Sequence, residues 1–267
     1  MERIERNGVV YYAFSHIEKT GLAGHGFSTR LGGVSEGVYT SMNLSHSRND
    51  NPARVRENIR RITNAMGIAP RDTVFCAQVH ENRVVHATAK HRNGGDSYPV
   101  EMQAVDGLIA NTNDVALVTM HADCVPLFFL DPVRKAVGMT HAGWRGTMKD
   151  IAGETVRRMQ ATFGSGARDL LVGIGPSIGR CCFEVGTEVT TELMQTMPFA
   201  EGCIQAGKGK PHVDLQGLNE ALLLRAGVCQ ANIEVAGLCT KCRADLFYSH
   251  RRDGAARGSM AAFIQLR

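Results

Sequence analysis

The sequence has no apolar stretch long enough for a membrane span. The longest, Val125-Pro126-Leu127-Phe128-Phe129-Leu130, falls far short of the ~20 residues that a bilayer requires. The opening residues Met1–Gly8 contain neither an apolar core nor a small-residue cleavage site, so a secretory signal is not expected. Eight cysteines in 267 residues are too sparse for a disulfide scaffold. Without an export signal, reduced thiols in a cytoplasmic compartment are the expectation. Charge is not strongly one-sided. The 30 basic and 26 acidic residues leave a formal net charge of +4. The basic groups are scattered, with small clusters at Arg54–Arg61 and His250–Arg252, which reads as a solvated surface. No nucleic-acid or membrane partner is expected, although local arginines remain available to a phosphate-bearing ligand.

What is present is globular in kind. Hydrophobic residues make up 43% and charged residues 21%, which excludes disordered and fibrous classes. No Ser/Pro linker, repeat or low-complexity run divides the chain, so one domain over residues 1–267 is expected. The polar segments Lys90–Tyr98 and Gly202–Pro211 read as surface loops; Gly-Lys-Gly-Lys in the second lacks the spacing of a P-loop.

The pattern mixes strands and helices. Strands are expected at Val9–Phe14, Thr73–Val79, Val115–Met120, Pro126–Leu130, Ala136–Thr140, Asp169–Ile174, Ile233–Ala236, Leu246–Ser249 and Met260–Leu266. Asp131-Pro132-Val133-Arg134 is too short for a helix and joins two of them as a turn. One helix should start at Asn51-Pro52, bury Val55, Ile59, Ile62 and Met66, and stop at Gly67. A second should follow Gly146 with Met148, Ile151, Thr155, Met159 and Phe163 on one face, ending at Gly164. A third covers Leu215–Ala226. The methionines in these stripes are core residues rather than a cofactor box.

The chemistry-bearing residues concentrate between Gln78 and Gly146. Gln78-Val79-His80, His121-Ala122-Asp123-Cys124-Val125-Pro126 and His141-Ala142-Gly143-Trp144-Arg145-Gly146 lie at ends of expected strands, where side chains from several strands can converge. His80, Cys124 and His141 would offer two imidazoles and a thiolate, a set that suits Zn²⁺ with a fourth position open. Their separations of 44 and 17 residues form no compact ligand motif, so spacing alone leaves three unrelated buried residues as an alternative. Trp144, the sole tryptophan, sits with Arg145 between glycines, as either a ligand-shaped loop or packing. Cys239-Thr240-Lys241-Cys242 has no second Cys-x-x-Cys pair, which argues against a zinc ribbon. Cys181-Cys182 in extended chain would point apart. His16, His25, His86, His91 and His212 carry no spacing signal.

Taken in order, the motifs resemble the bacterial polyphenol oxidase or laccase-domain family, also called peptidoglycan editing factor and purine nucleoside phosphorylase. The resemblance is carried by Phe27-Ser28-Thr29-Arg30-Leu31-Gly32-Gly33-Val34-Ser35, Ser41-Met42-Asn43-Leu44, Gln78-Val79-His80 and Ala122-Asp123-Cys124-Val125-Pro126-Leu127. It continues through His141-Ala142-Gly143-Trp144-Arg145-Gly146, Gly173-Ile174-Gly175-Pro176-Ser177-Ile178-Gly179, Glu184-Val185-Gly186 and Tyr248-Ser249-His250-Arg251-Arg252-Asp253. It implies an α/β fold, with mixed sheets in a layered α/β/β/α arrangement. It also implies that His80, Cys124 and His141 are metal ligands, with zinc or copper bound. Three places depart from the family pattern. His121 stands where Thr is usual, Val105-Asp106-Gly107 replaces Ala-Asp-Gly, and Ser-Arg-Asn-Asp follows His46. His121 lies an odd number of residues from Cys124, so in a continuous strand it would face the other way and not act as a ligand.

The oxidase name fits the sequence poorly. None of the ten histidines forms a His-x-His pair, so a trinuclear copper cluster cannot be assembled in the usual way, although Cu²⁺ could occupy the His/Cys/His set. The resemblance implies phosphorolysis of adenosine, inosine and methylthioadenosine, with adenosine deamination as a further activity. Catalysis is expected from His80, Cys124 and His141. Arg30 and Arg145 are the expected phosphate ligands, because guanidinium groups donate in pairs, and Asn43 and Gln78 are the other substrate-contact candidates. The expected partners are therefore small molecules, a purine nucleoside and phosphate; the oligomeric state is left open. The alternatives are a cysteine-type amide hydrolase, with Cys124 as nucleophile and His141 or His80 as base, and a non-enzymatic metal-binding protein.

Overall fold

The computed structural model describes residues 1–206 and 209–267; Gly207 and Lys208 of the expected Gly202–Pro211 loop lie outside the described residues. In chain order the strands are β1 (Glu2–Arg6), β2 (Val9–Ala13), β3 (Ala23–Ser28), β4 (Thr73–Phe75), β5 (Val84–His86), β6 (Gly107–Ala110) and β7 (Ala116–His121). They continue with β8 (Val125–Asp131), β9 (Ala136–Ala142), β10 (Leu171–Ile174), β11 (Ile204–Gln205), β12 (His212–Val213), β13 (Ile233–Val235) and β14 (Met260–Leu266). One six-stranded sheet has the order β1-β2-β3-β14-β7-β4, a second has β13-β10-β8-β9-β6-β5, and β11 pairs with β12. Both large sheets are mixed. β4–β7, β5–β6 and β10–β13 are parallel, and the other pairs within them are antiparallel.

Three apolar layers hold the sheets together. Phe14, Phe27, Leu117, Phe128, Leu130 and Ile264 fill the space between them. Helix Pro52–Met66 covers the outer face of the first sheet, where Val55, Ile59 and Ile62 meet Tyr11, Val118 and Phe263. On the far side of the second sheet, helices Ile151–Phe163 and Leu215–Arg225 pack Val156, Met159 and Leu222 against Leu127, Phe129 and Val172. This is the α/β/β/α layering implied by the resemblance. It also explains the run Val125–Leu130. Because β8 lies inside a sheet covered on both faces, alternate residues enter different cores and none needs to be polar.

Local signals set several boundaries. Asn51 accepts the Ala53 N–H, Pro52 opens the helix, and Gly67 closes it at φ 72°. At the turn joining β8 to β9, Asp131 accepts the N–H groups of Val133 and Arg134, both at 2.9 Å. The helix expected after Gly146 is two helices, Trp144–Met148 and Ile151–Phe163. Asp150 takes φ 57° and caps the second by accepting the Gly153 N–H.

Elsewhere tertiary contacts overrule the local pattern. Leu246–Ser249 is not a strand. Its backbone is satisfied by Arg252, which donates to Phe247 O at 2.8 Å, and by the Arg30 N–H, which donates to Leu246 O at 2.8 Å. The strand expected over Thr73–Val79 stops at Phe75, and the chain leaves the sheet towards the cavity described below. β3 escaped notice because it reads Ala-Gly-His-Gly-Phe-Ser. A Cβ at Gly26 would lie 2.7 Å from both the Tyr11 ring and the Met66 methyl, so the glycine permits close packing.

Candidate metal centre and active site

Sheet register delivers the central residues. β8 and β9 form a hairpin with Val125 opposite Ala142 and Pro126 opposite His141. Cys124 and His141 therefore emerge together at the hairpin's open end, away from the Asp131–Arg134 turn. β6 flanks β9 with Gly107 opposite Thr140, which brings Asp106 beside His141. β5 flanks β6, and the loop entering β5 carries His80. One ligand atom from each of His80, Cys124 and His141 lies within 4.8 Å of the others.

Asp106 is one residue whose role sequence reasoning missed. Fully buried, it accepts the backbone N–H groups of Val79, His80 and Glu81 at 3.1, 3.0 and 2.9 Å. His141 Nδ1–H donates to its Oδ1 at 2.8 Å, leaving Nε2 for the centre. One carboxylate thus sets the tautomer of one candidate ligand and the backbone of another. The only signal was its place in Val105-Asp106-Gly107. Burial opposes charge on both Cys124 and His141. The neighbouring imidazoles still lower the Cys124 thiol, while Cys124 and Asp106 raise His141.

Two residues near the centre hold left-handed backbone, His80 at φ 64° and Asp123 at φ 88°. Such strain persists only where the surroundings over-determine it. For His80 the restraint is Asp106. For Asp123 it is a ring of donors: Thr240 O–H at 2.6 Å, Ser249 O–H at 3.0 Å and Arg251 N–H at 2.7 Å. At Gly143 a Cβ would fall 2.6 Å from His80 Nδ1 and 3.2 Å from Cys124 Sγ. The space between these donors depends on that glycine, and two nitrogens with one thiolate around an open position fit a Zn²⁺ or Cu²⁺ ion. His121 stands apart from the set. Its Nδ1–H donates to Cys124 O at 3.1 Å and its Nε2 accepts from Thr119 Oγ1 at 2.8 Å, so both nitrogens are engaged. It also ends β7 rather than sharing a strand with Cys124, so strand parity is not what separates them.

A cavity of about 620 Å³ opens over the centre, walled by Trp144, Arg145, Ile178, Phe183, Val185 and Arg251. A smaller one of about 290 Å³ shares Arg48, His80, Cys124 and Arg257 with it and reaches Gln78 and His141. Arg145 lines the larger cavity, its guanidinium 4.4 Å from the Trp144 ring centre. Arg30 lines neither cavity. It donates to Thr40 O and Ala244 O and stacks on Tyr248, so the structure does not bring this expected phosphate ligand to the centre. Asn43 also lines neither cavity and is bonded to Asp50, Ser45 and Ser259. The Gln78 amide binds both backbone groups of Met120. Arg48 and Arg257 carry no strand, helix or motif signal, yet both face the centre. Each has a buried Nε without a hydrogen-bond partner among the described residues.

Comparison with known proteins shows the family of the chain. Residues 24–267 match the sequence family described as multi-copper polyphenol oxidoreductase laccase. The chain is 38% identical over 245 residues to the protein named purine nucleoside phosphorylase YlmD of Bacillus subtilis, covering 91% of this chain and 88% of that one. It is 36% identical to purine nucleoside phosphorylase LACC1 of Mus musculus, over 91% of this chain and 55% of the longer mouse protein. The crystal structure of YlmD from Geobacillus stearothermophilus superposes with a TM-score of 0.91 at 35% identity, covering 99% of this chain and 98% of that one. With the match spanning β3 to β14, this chain belongs to the laccase-like polyphenol oxidoreductase family, whose curated relatives carry the name purine nucleoside phosphorylase.

Proposed function

We propose that this chain is a metal-dependent purine nucleoside phosphorylase acting on adenosine, inosine and methylthioadenosine, with phosphate seated on Arg48 and Arg257. The observation that carries this reading is the pair of buried guanidinium Nε atoms, unpartnered among the described residues, beside His80, Cys124 and His141. Burial, and then the Arg48 charge, pull Arg257 down to about 10, and a bound anion would relieve both effects. The larger cavity has room for a nucleoside, with Trp144 and Phe183 as apolar walls and Arg145 and Arg251 at its rim. In the reaction a phosphate oxygen bonds to the anomeric carbon as the carbon–purine nitrogen bond breaks. The electron pair stays with the base, which takes up a proton. Arg48 and Arg257 orient the attacking anion. His80, Cys124 and His141 would hold a zinc or copper ion, which when bound supplies a Lewis acid at the cavity floor. The names of the relatives support the same reaction class.

Cys124, His141 and Asp106 also form a thiol–imidazole–carboxylate row, and this favours an amide hydrolase as the second reading. Base release measured with and without phosphate separates the two. The phosphorylase reading expects strict phosphate dependence, a pentose 1-phosphate product and loss of turnover on chelation. Arg257→Gln should raise the phosphate KM by ~10–150-fold, from a charge-assisted contact of ~1.5–3 kcal/mol. Arg30→Ala should leave that KM unchanged. Free ribose regardless of phosphate, or amide cleavage that survives chelation, would overturn the phosphorylase reading.

A further inference from the structure

Four cysteines outside the cavity come together from two distant parts of the chain. Cys181 and Cys182 sit in the turn after β10; Cys239 and Cys242 sit in the loop after β13. Their four sulfurs all lie within 4.8 Å of one another, and all four cysteines are free thiols. Cys242 Sγ is 3.6 Å from Cys181 Sγ and 3.4 Å from Cys182 Sγ. A zinc ion with four bonds of ~2.3 Å at tetrahedral angles sets its sulfurs about 3.8 Å apart, so this arrangement is already close to a ligand cage. The lone Cys-x-x-Cys of the sequence acquires its second pair through the fold. Cys181-Cys182 can supply it because these residues lie in a turn, where neighbouring side chains are not forced to opposite faces.

The surroundings are also organised around sulfur. The Gly179 N–H donates to Cys239 Sγ at 3.3 Å, a contact that stabilises a thiolate. A Cβ at Gly179 would lie 3.2 Å from Cys239 Cβ and 3.3 Å from Cys181 Sγ, so glycine allows the two loops to approach. Backbone bonds between Ser177 and both Leu238 and Thr240 keep the loops in register.

We propose that Cys181, Cys182, Cys239 and Cys242 form a second metal site, closed and structural, which binds one Zn²⁺ through four thiolates. Binding forms four zinc–sulfur bonds and releases the protons of those cysteines that were still thiols, with no change of oxidation state. All four positions come from protein, so none is open to substrate. The site joins the Ile178–Gly186 wall of the larger cavity to the loop bearing Thr240. Thr240 in turn holds Asp123, the strained neighbour of Cys124. Zinc here would therefore brace the candidate active site from behind while leaving His80, Cys124 and His141 to their own ion.

The test is an anaerobic Co²⁺ titration of the reduced, full-length chain, followed by displacement with Zn²⁺. Cys124→Ala should still bind one Co²⁺, with the strong sulfur-to-metal charge transfer and intense visible bands of a tetrahedral tetrathiolate. This readout leaves the four cysteines untouched, so it stands or falls separately from the phosphorylase reading. Cys242→Ser, at an exposed position, should lose those bands while its circular dichroism stays native. In the Zn²⁺ form it should also lose about one equivalent of tightly held metal relative to the parent. Absence of a tetrathiolate spectrum in Cys124→Ala would overturn the proposal. So would a mass deficit of one disulfide in the untreated protein that disappears in Cys242→Ser.

Discussion

At Asp106 one side chain supports two candidate ligands, and this makes it the most informative single position outside the ligands themselves. Asp106→Asn should lower metal affinity and turnover together by ~10–100-fold, the range typical of groups that orient a ligand. Metal content after dialysis against a graded chelator series checks this; unchanged retention would show that His141 holds its orientation without the carboxylate. Gly143→Ala is the complementary change, because its new methyl would occupy the space between His80 and Cys124. We expect a folded protein, by circular dichroism, that retains no metal at this centre. The residue scale also marks the limit of motif reading. His80, Cys124 and His141 stood out because the chemistry requires rare residue types at strand ends. Arg48, Arg257 and Asp106 did not, because arginine and aspartate are common and only their burial distinguishes them.

Among the elements, β8 and β9 matter most to the site. Their short turn was legible from Asp131-Pro132 and the flanking apolar runs, and it fixes Cys124 and His141 at the same end. β10 pairs with β8 on the side away from β9, and its Gly173 closely approaches the Phe14 ring. A Cβ at Gly173 would lie 2.4 Å from that ring, so Gly173→Val should push the two sheets apart and cost on the order of 1–3 kcal/mol or more. Urea denaturation measures it, and a loss below ~0.5 kcal/mol would mean that Phe14 moves freely aside. Helix Pro52–Met66 was readable almost to the residue, since its cap, its stripe and its terminating glycine are all local. β3 and Leu246–Ser249 were not. In β3, glycines chosen for close packing erase the alternation; at Leu246–Ser249, a strand-like composition serves a buried segment whose partners are side chains.

For the whole molecule, stability should depend on both pH and metal. His25 is buried in β3 with Nε2 accepting the Phe14 N–H at 2.8 Å, and burial is the largest cause lowering its pKa from 6.5 to about 4. Between those values the unfolded chain holds a proton that the folded chain does not. The His25 contribution is therefore complete above pH 6.5, is lost as the pH falls, and levels off below about 4. Over that interval it amounts to ~3 kcal/mol. Urea midpoints from pH 7 to 4 should fall, and His25→Gln, whose amide oxygen can accept the same N–H, should flatten the slope. An equal slope in the variant would assign it to other groups. Metal stripping should act near neutral pH, where the cysteine and histidine ligands can give up their protons to the ion. An ion present at 100 times its Kd contributes ~2.7 kcal/mol, or roughly 5–10 °C in Tm for a chain of this size.

Composition, the Asn51–Gly67 helix signals, the β8–β9 turn and the ordered motifs are written in short stretches of sequence. Hydrogen bonding to the next few residues and side-chain periodicity are local, so these features can be read without knowing the fold. Which side chains share the site is a different kind of fact. Asp106 reaches His141 because β6 pairs with β9. Arg257 meets Arg48 across more than two hundred residues of chain, and two cysteine pairs meet because the loops after β10 and β13 adjoin. Strand order and register decide those encounters. They follow from burying three apolar layers at once, a condition on the whole chain that no short stretch of it contains.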